Sequence, residues 1–173
     1  MTSKRFAVSI VRVQEQKTAY ALEQGIELIG GIRDIVKAGS AVVVKPNFTM
    51  GPTEFGITNP VAIEAVLRVV NSMNPRSIVV AEGSGASYTW SAFRAYNIYD
   101  MASRYGAEVM DLNVDEGIRK SVPPETGREY VVLPRTVAEC DVLISVRANL
   151  KRCGNWWWEV KGWRTLSVEE NTP

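Results

Sequence analysis

Histidine is absent from the 173 residues. With it go the commonest general base at neutral pH, a frequent metal ligand, and any Ser-His or Cys-His catalytic pair. Cysteine is scarce as well: Cys140 and Cys153 are the only two. Two thiols fall short of the four needed for an iron–sulfur cluster or a structural zinc site. A disulfide between them is not expected in a reducing compartment. Neither sign of charge dominates, since 20 Lys+Arg stand against 19 Asp+Glu for a net charge of +1. No global field therefore favours nucleic acid or an anionic membrane. No apolar run reaches the 18 residues of a membrane span. The opening residues, MTSKRFAVSIVRV, alternate like a strand, are broken by Arg12, and lead to no small-residue cleavage site. A signal peptide is not expected, and the cytoplasm is the expected location.

What is present is an ordinary globular composition, 46% hydrophobic and 23% charged, on a chain long enough for one domain with a sizeable core. Its organising stretch is Ser40–Pro60. Ala41-Val42-Val43-Val44 is too short for a helix and β-branched enough for a buried strand. Lys45-Pro46-Asn47 ends it, because proline removes a ladder donor. A polar loop follows, and Thr58-Asn59-Pro60 opens a helix, with Thr58 or Asn59 as cap and Pro60 at the first helical position. Strand, loop and helix start are thus laid end to end. In an open α/β sheet that end of the strands is where ligands bind.

The remaining chain alternates in the same way. Phe6–Val13 has the period-two pattern of a strand. Tyr20–Lys37 has helical spacing, with Gly30-Gly31 inside it marking a close approach to the sheet or a break. Pro60–Met73 is the clearest amphipathic helix, stopped by Asn74-Pro75. Ser77–Ala81 is a buried strand that runs into Glu82-Gly83-Ser84-Gly85. Ser91–Tyr105 is helical, Glu108–Val114 and Val131–Leu133 are strands separated by the turn-rich Ser121–Gly127, Thr136 caps a short helix, and Asp141–Val146 is a last core strand. Strands alternating with helices predict right-handed crossovers and an α/β fold: a mostly parallel sheet flanked by helices, three-layered and Rossmann-like. Residues 1–150 are expected to form this domain. Residues 151–173 read as a Trp-rich tail with no clean period, since Arg147–Pro173 holds Trp156, Trp157, Trp158 and Trp163. That tail is either an aromatic flap over a sheet face, a stacking platform for bases or ligands with Lys151, Arg152, Lys161 and Arg164 supplying charge, or a truncated or altered end.

Several side chains can carry chemistry. Lys45, at a strand's carboxyl end, can meet an anion, act as base or nucleophile if desolvated, or simply face solvent. Asn47 can bind a ligand or organise its own loop. Thr58 and Asn59 stand where a helix amino terminus gathers N–H groups and partial positive charge suited to phosphate or carboxylate. Gly83, Ser84 and Gly85 can wrap an anion with backbone N–H groups, although they make neither a Walker loop nor a full dinucleotide fingerprint. Glu82 can be a general base, a metal ligand or the partner of Lys45. Asp111, Asp115 and Glu116 can ligate magnesium but fit a solvated edge better. Cys140 fits a small buried hydrophobe. No metal site is expected.

Four stretches in order, VVVKPNF (Val42–Phe48), ITNP (Ile57–Pro60) with AIEAVLRVV after it, IVVAEGSG (Ile78–Gly85) and AECDVLISV (Ala138–Val146), resemble the prokaryotic domain-of-unknown-function 362 family over about residues 6–150. The chain departs from that family's pattern after Val146, where Arg147–Cys153 stands in place of a Pro-x-Leu-Lys-Thr-His run. The resemblance implies an α/β domain associated with iron–sulfur redox proteins, here its front part. No cluster is expected to be held by this chain alone, and its cofactor is unknown. Three functions follow. The first is a domain that binds a small anionic ligand, or works with a ferredoxin-like redox partner, through Lys45, Asn47, Thr58, Asn59, Gly83–Gly85 and Lys151. The second is an enzyme with a Lys45/Glu82 site at the strand ends. The third, disfavoured by the net charge, is a nucleic-acid binder that uses the Trp-rich end. A homo-oligomer is compatible with the first two.

Overall fold

A computed structural model describes residues 7–14, 17–48, 57–85, 88–147 and 165–167. In chain order the elements are α1 (Thr18–Leu28), β1 (Ala41–Lys45), α2 (Pro60–Asn71), β2 (Ser77–Glu82), α3 (Thr89–Ala95), α4 (Ile98–Ser103), β3 (Glu108–Asp111), β4 (Gly117–Ser121), β5 (Tyr130–Pro134), α5 (Arg135–Ala138), β6 (Val142–Arg147) and β7 (Thr165–Ser167). Five strands form one sheet in the order β3-β2-β1-β6-β7, and β4 and β5 form a separate ribbon. Every pair in the large sheet is parallel, whereas the ribbon is antiparallel. This is the mostly parallel, helix-flanked α/β sheet that the alternating pattern implies.

The apolar strands are continuous rather than alternating because β1 is covered on both faces. Val42 lies opposite Ile78 and Val142, and Val44 opposite Val80 and Ile144. These residues share one face and pack with Leu22, Ile26, Ile63, Leu67, Val70 and Met101 of α1, α2 and α4. Val43 points to the other face and is also buried. There α5 and the start of β1 and β2 border an open, shallow groove of about 300 Å³ lined in part by Val43, Val79, Thr136 and Cys140. The chain steps from β1 to β2 to β3 in one direction and must return past β1 to reach β6. Right-handed crossovers put a returning connection on the opposite face, which is where α5 lies.

Helix α2 forms as its sequence dictates. Pro60 stands at its first position, and the Asn59 side chain accepts a hydrogen bond from the Val61 N–H at 2.9 Å. Its stripe of Ala62, Ile63, Ala65, Val66, Leu67 and Val70 is buried.

Several expectations need correction. Residues 7–14 form no strand among the described residues. Their alternation is real, but Ser9 lies against α1, its hydroxyl donating to the Gly25 carbonyl at 2.6 Å, while Val8 and Ile10 are exposed. An extended segment lying on a helix shows the same period as a strand in a sheet. The helix expected over Tyr20–Lys37 ends at Leu28. Gly30 and Gly31 adopt φ of +92° and +78°, so they break it, and Ile32 and Val36 reach the core from a turn instead. Ser91–Tyr105 is split into two helices at Asn97, which is left-handed with φ 53°. Strand β3 stops at Asp111 rather than Val114.

Strand β4 occupies residues with no strand signal, Gly117-Ile118-Arg119-Lys120-Ser121, because β5 offers them a ladder. Thr136 does not cap α5; its own N–H is capped by Asp115, 21 residues earlier, at 2.8 Å. Thr165–Ser167, expected to be aperiodic, pairs with β6. The rest of the Trp-rich stretch, with all four of its tryptophans, lies outside the described residues.

Two outcomes follow from this packing. Leu67 is fully buried while Val61, on the same helix, is exposed. Urea denaturation of Leu67→Ala should show a loss of about 3 kcal/mol, against less than about 0.5 kcal/mol for Val61→Ala; equal effects would contradict the assigned helix face. Burial pushes the Asp115 carboxyl up, but hydrogen bonds from the backbone and side chain of Thr136 and from the Glu116 N–H outweigh it and hold the pKa below its ordinary 3.8. With the folded value depressed, Asp115 stabilises the fold fully above about pH 4, and that contribution is lost as pH falls through the folded-state value. Stability–pH profiles of the wild type and Asp115→Asn should therefore converge in acid and separate above pH 4.

Candidate functional site

The site is built at the carboxyl rim of β1 and β2. Val44 pairs with Val80, so Lys45 lies one residue, and Glu82 two residues, beyond that pair. The four-carbon stem of Lys45 spans this offset, and its ammonium sits 3.0 Å from both carboxylate oxygens of Glu82. Its remaining donor goes to the Pro46 carbonyl at 3.2 Å. Glu82 also accepts from the Phe48 N–H at 3.2 Å and the Gly83 N–H at 2.8 Å. Both oxygens thus have an ammonium and a backbone partner each, as a buried carboxylate requires. Exposure divides the pair. The Glu82 side chain is 4% exposed and that of Lys45 33%, so the acid is hidden while the lysine side chain is partly open to solvent.

The loop after β1 is held at its base from three directions. Phe48 is fully buried, stacked on Tyr96 with centroids 5.6 Å apart and edge-on to Phe93 at 6.0 Å. It forms an antiparallel bridge with Ile57. The Asn47 N–H donates to the Thr58 hydroxyl oxygen and the Thr58 N–H to the Asn47 carbonyl, both at 2.8 Å. The same hydroxyl donates to the Val146 carbonyl at the end of β6, at 2.6 Å. Thr58 is therefore a staple between two strand ends, and Asn59 alone is the α2 cap. Residues 49–56, between the stapled positions, lie outside the described residues.

The loop after β2 is organised by Asn113, a residue that no local pattern singles out. Its amide donates to the Ser84 carbonyl at 3.0 Å and to the Thr89 hydroxyl at 3.3 Å. The Ser84 N–H donates to that hydroxyl at 3.1 Å. A Cβ on Gly83 would stand 3.2 Å from the Asn113 amide oxygen and 3.3 Å from the Leu112 side chain, so glycine there permits the close approach. The N–H groups of Gly83 and Ser84 are thus committed within the protein, whereas Gly85 is exposed with open space around it.

Other candidates are placed elsewhere. Asp111 accepts from the Asn113 N–H, and Glu116 pairs with Arg135, whose hydrogen bond and charge pull the Glu116 carboxyl down. Burial pushes the Cys140 thiol up, away from thiolate chemistry, and it donates to the Val137 carbonyl at 3.3 Å. Among the described residues no group of three or more His, Cys, Asp or Glu side chains could hold a metal ion. Lys151 and Cys153 lie outside them.

Sheet order gives the rim its significance. The chain leaves β1 toward β2 on one side and later returns to β6 on the other, so the carboxyl ends of β1 and β6 flank a topological switch point. If Glu82 holds the rim together, Glu82→Gln should lose about 2–3 kcal/mol in denaturant titrations, because an ammonium and two N–H groups lose their charged acceptor. Lys45→Met, at the more exposed position, should lose less, and the double variant less than the sum. Strict additivity would show that the two side chains are not coupled.

No curated protein matches the chain. A family model described as a domain of unknown function (DUF362) matches residues 42–152, from the second residue of β1 to just beyond β6. This span covers the whole rim and more than half of the chain, and with it the protein belongs to the domain-of-unknown-function 362 family.

Proposed function

We propose that this domain binds a small anionic ligand at the carboxyl ends of β1, β2 and β6, with Lys45 as the charge that receives it. The observation that carries this reading is the uneven exposure of the Lys45–Glu82 pair, whose lysine ends β1, one of the two strands that flank the switch point. A buried carboxylate behind a partly exposed lysine fixes the ammonium's position, and an arriving anion would replace the Pro46 carbonyl as its third acceptor. Held in place, the ammonium loses little side-chain entropy when an anion arrives. The amino end of α2, twelve residues long, follows the same loop and adds the partial positive charge of its dipole.

Glu82 acts in this reading as a positioning residue. Its two oxygens are already engaged by Lys45, Phe48 and Gly83. Taking a proton from a ligand would require breaking one of those bonds. The reading is therefore one of recognition, with Lys45 touching the ligand and Glu82 and Thr58 acting through the groups they hold.

Calorimetric titration with inorganic phosphate and with small di- and tricarboxylates, at low salt, tests this. At least one anion should bind, its affinity should fall with added salt, and Lys45→Gln should weaken it about tenfold or more. Binding that is indifferent to Lys45→Gln, or absent for the whole set, would remove the proposal.

A further inference from the structure

The two faces of the large sheet are covered unequally. On the face packed by α1, α2 and α4, Val42, Val44, Val80, Ile144 and Val146 are all buried. On the other, Leu143, Val43 and Val79 stand side by side in register across β6, β1 and β2, and Met110 of β3 stands beside Ala81. Leu143, Val79 and Met110 are only half-buried there. Among the described residues the helix on that face is α5, four residues long, with the open groove beside it. A parallel sheet that is apolar on both faces needs cover on both.

Strand order identifies the segment that supplies it. β6 ends at Arg147, and β7, its parallel neighbour, begins at Thr165. Parallel neighbours are joined by a connection that crosses back over one face of the sheet, and residues 148–164 exceed the dozen or so positions this takes. Such crossovers are right-handed in about 98% of cases. The steps from β1 to β2 and from β2 to β3 run one way along the sheet and carry α2, α3 and α4 on the well-covered face. The step from β6 to β7 runs the other way, so the same hand puts its connection on the opposite face. That connection contains Trp156, Trp157, Trp158 and Trp163. Four strands of about four paired residues present roughly 250 Å² of face, and one tryptophan buries about 150–250 Å². Two of the four rings are enough to cover it.

We infer that residues 148–164 cross the face opposite α2, and that their tryptophans dock on the apolar row of Leu143, Val43 and Val79 and into the groove beside α5. The segment then supplies the third layer of the fold. Its rings are committed to the sheet and are not a platform for stacking bases. The inference is independent of the strand-end ligand reading.

Nuclear magnetic resonance on the full chain, with methyl-labelled valine and leucine, tests it. Trp90→Phe removes the one tryptophan outside the segment, at a 47% exposed position, so every remaining indole signal comes from residues 148–164. Nuclear Overhauser contacts should join indole protons to the methyl groups of Val79 and Leu143, and none should reach Val44 or Val80 on the other face. Fluorescence of the same variant should lie to the blue of its urea-unfolded form and resist quenching by acrylamide. Contacts that are absent or confined to Val44 and Val80, or an emission unchanged by unfolding, overturn the inference. Contacts seen only between differently labelled copies in a mixed sample would assign the face to a second copy of the chain and overturn it as well.

Discussion

A carboxylate taken out of water must find donors, and Glu82 finds them on three separate parts of the chain. Its ammonium partner comes from the end of β1, one backbone donor from the loop after β1, and another from the loop after β2. The desolvation of a single side chain thus determines where two strand ends and two loops must meet. Thr58 extends the same arrangement to a third strand by joining Asn47 to Val146. The rim of the sheet is consequently a hydrogen-bonded unit and not a set of independent loop ends.

The four stretches in which the sequence resembles the family are in mutual contact here. Lys45 of the first meets Glu82 of the third, Asn47 of the first meets Thr58 of the second, and Thr58 meets Val146 of the fourth. Each is explained by its neighbour: Lys45 by the acid it balances, Gly83 by the Asn113 and Leu112 side chains that would crowd a Cβ, and Thr58 by the carbonyl it satisfies. The same contacts serve the proposed ligand site, since groups locked by their surroundings are suited to recognition. The structural role of this rim and its proposed ligand role rest on one network.

The corrections to the elements share a cause. Alternation in residues 7–14 reports a surface with one side covered, and it does not say whether a sheet or a helix does the covering. The apolar spacing that continues past Leu28 reports which residues reach the core, and Ile32 and Val36 do so from a turn as well as they could from a helix. Strand β4 has almost no propensity of its own and exists through its ladder with β5. In each case tertiary context overrode a local pattern that two geometries could satisfy.

Local chemistry in the sequence by itself determined the alternation of buried strands and helices, the start of α2 at Pro60 with a cap from Thr58 or Asn59, and the identity of Lys45 and Glu82 as the charged residues at two strand ends. These follow from β-branching, from proline's missing N–H and from the period of apolar residues, all of which act over a few positions. Only the tertiary structure decided that Lys45 and Glu82 are 3.0 Å apart, that Asp115 caps α5, that Asn113 organises the glycine loop, and that Thr58 ties the loop after β1 to the end of β6. Those facts depend on strand order and register. They join residues that are tens of positions apart, where no periodic signal along the chain can connect them.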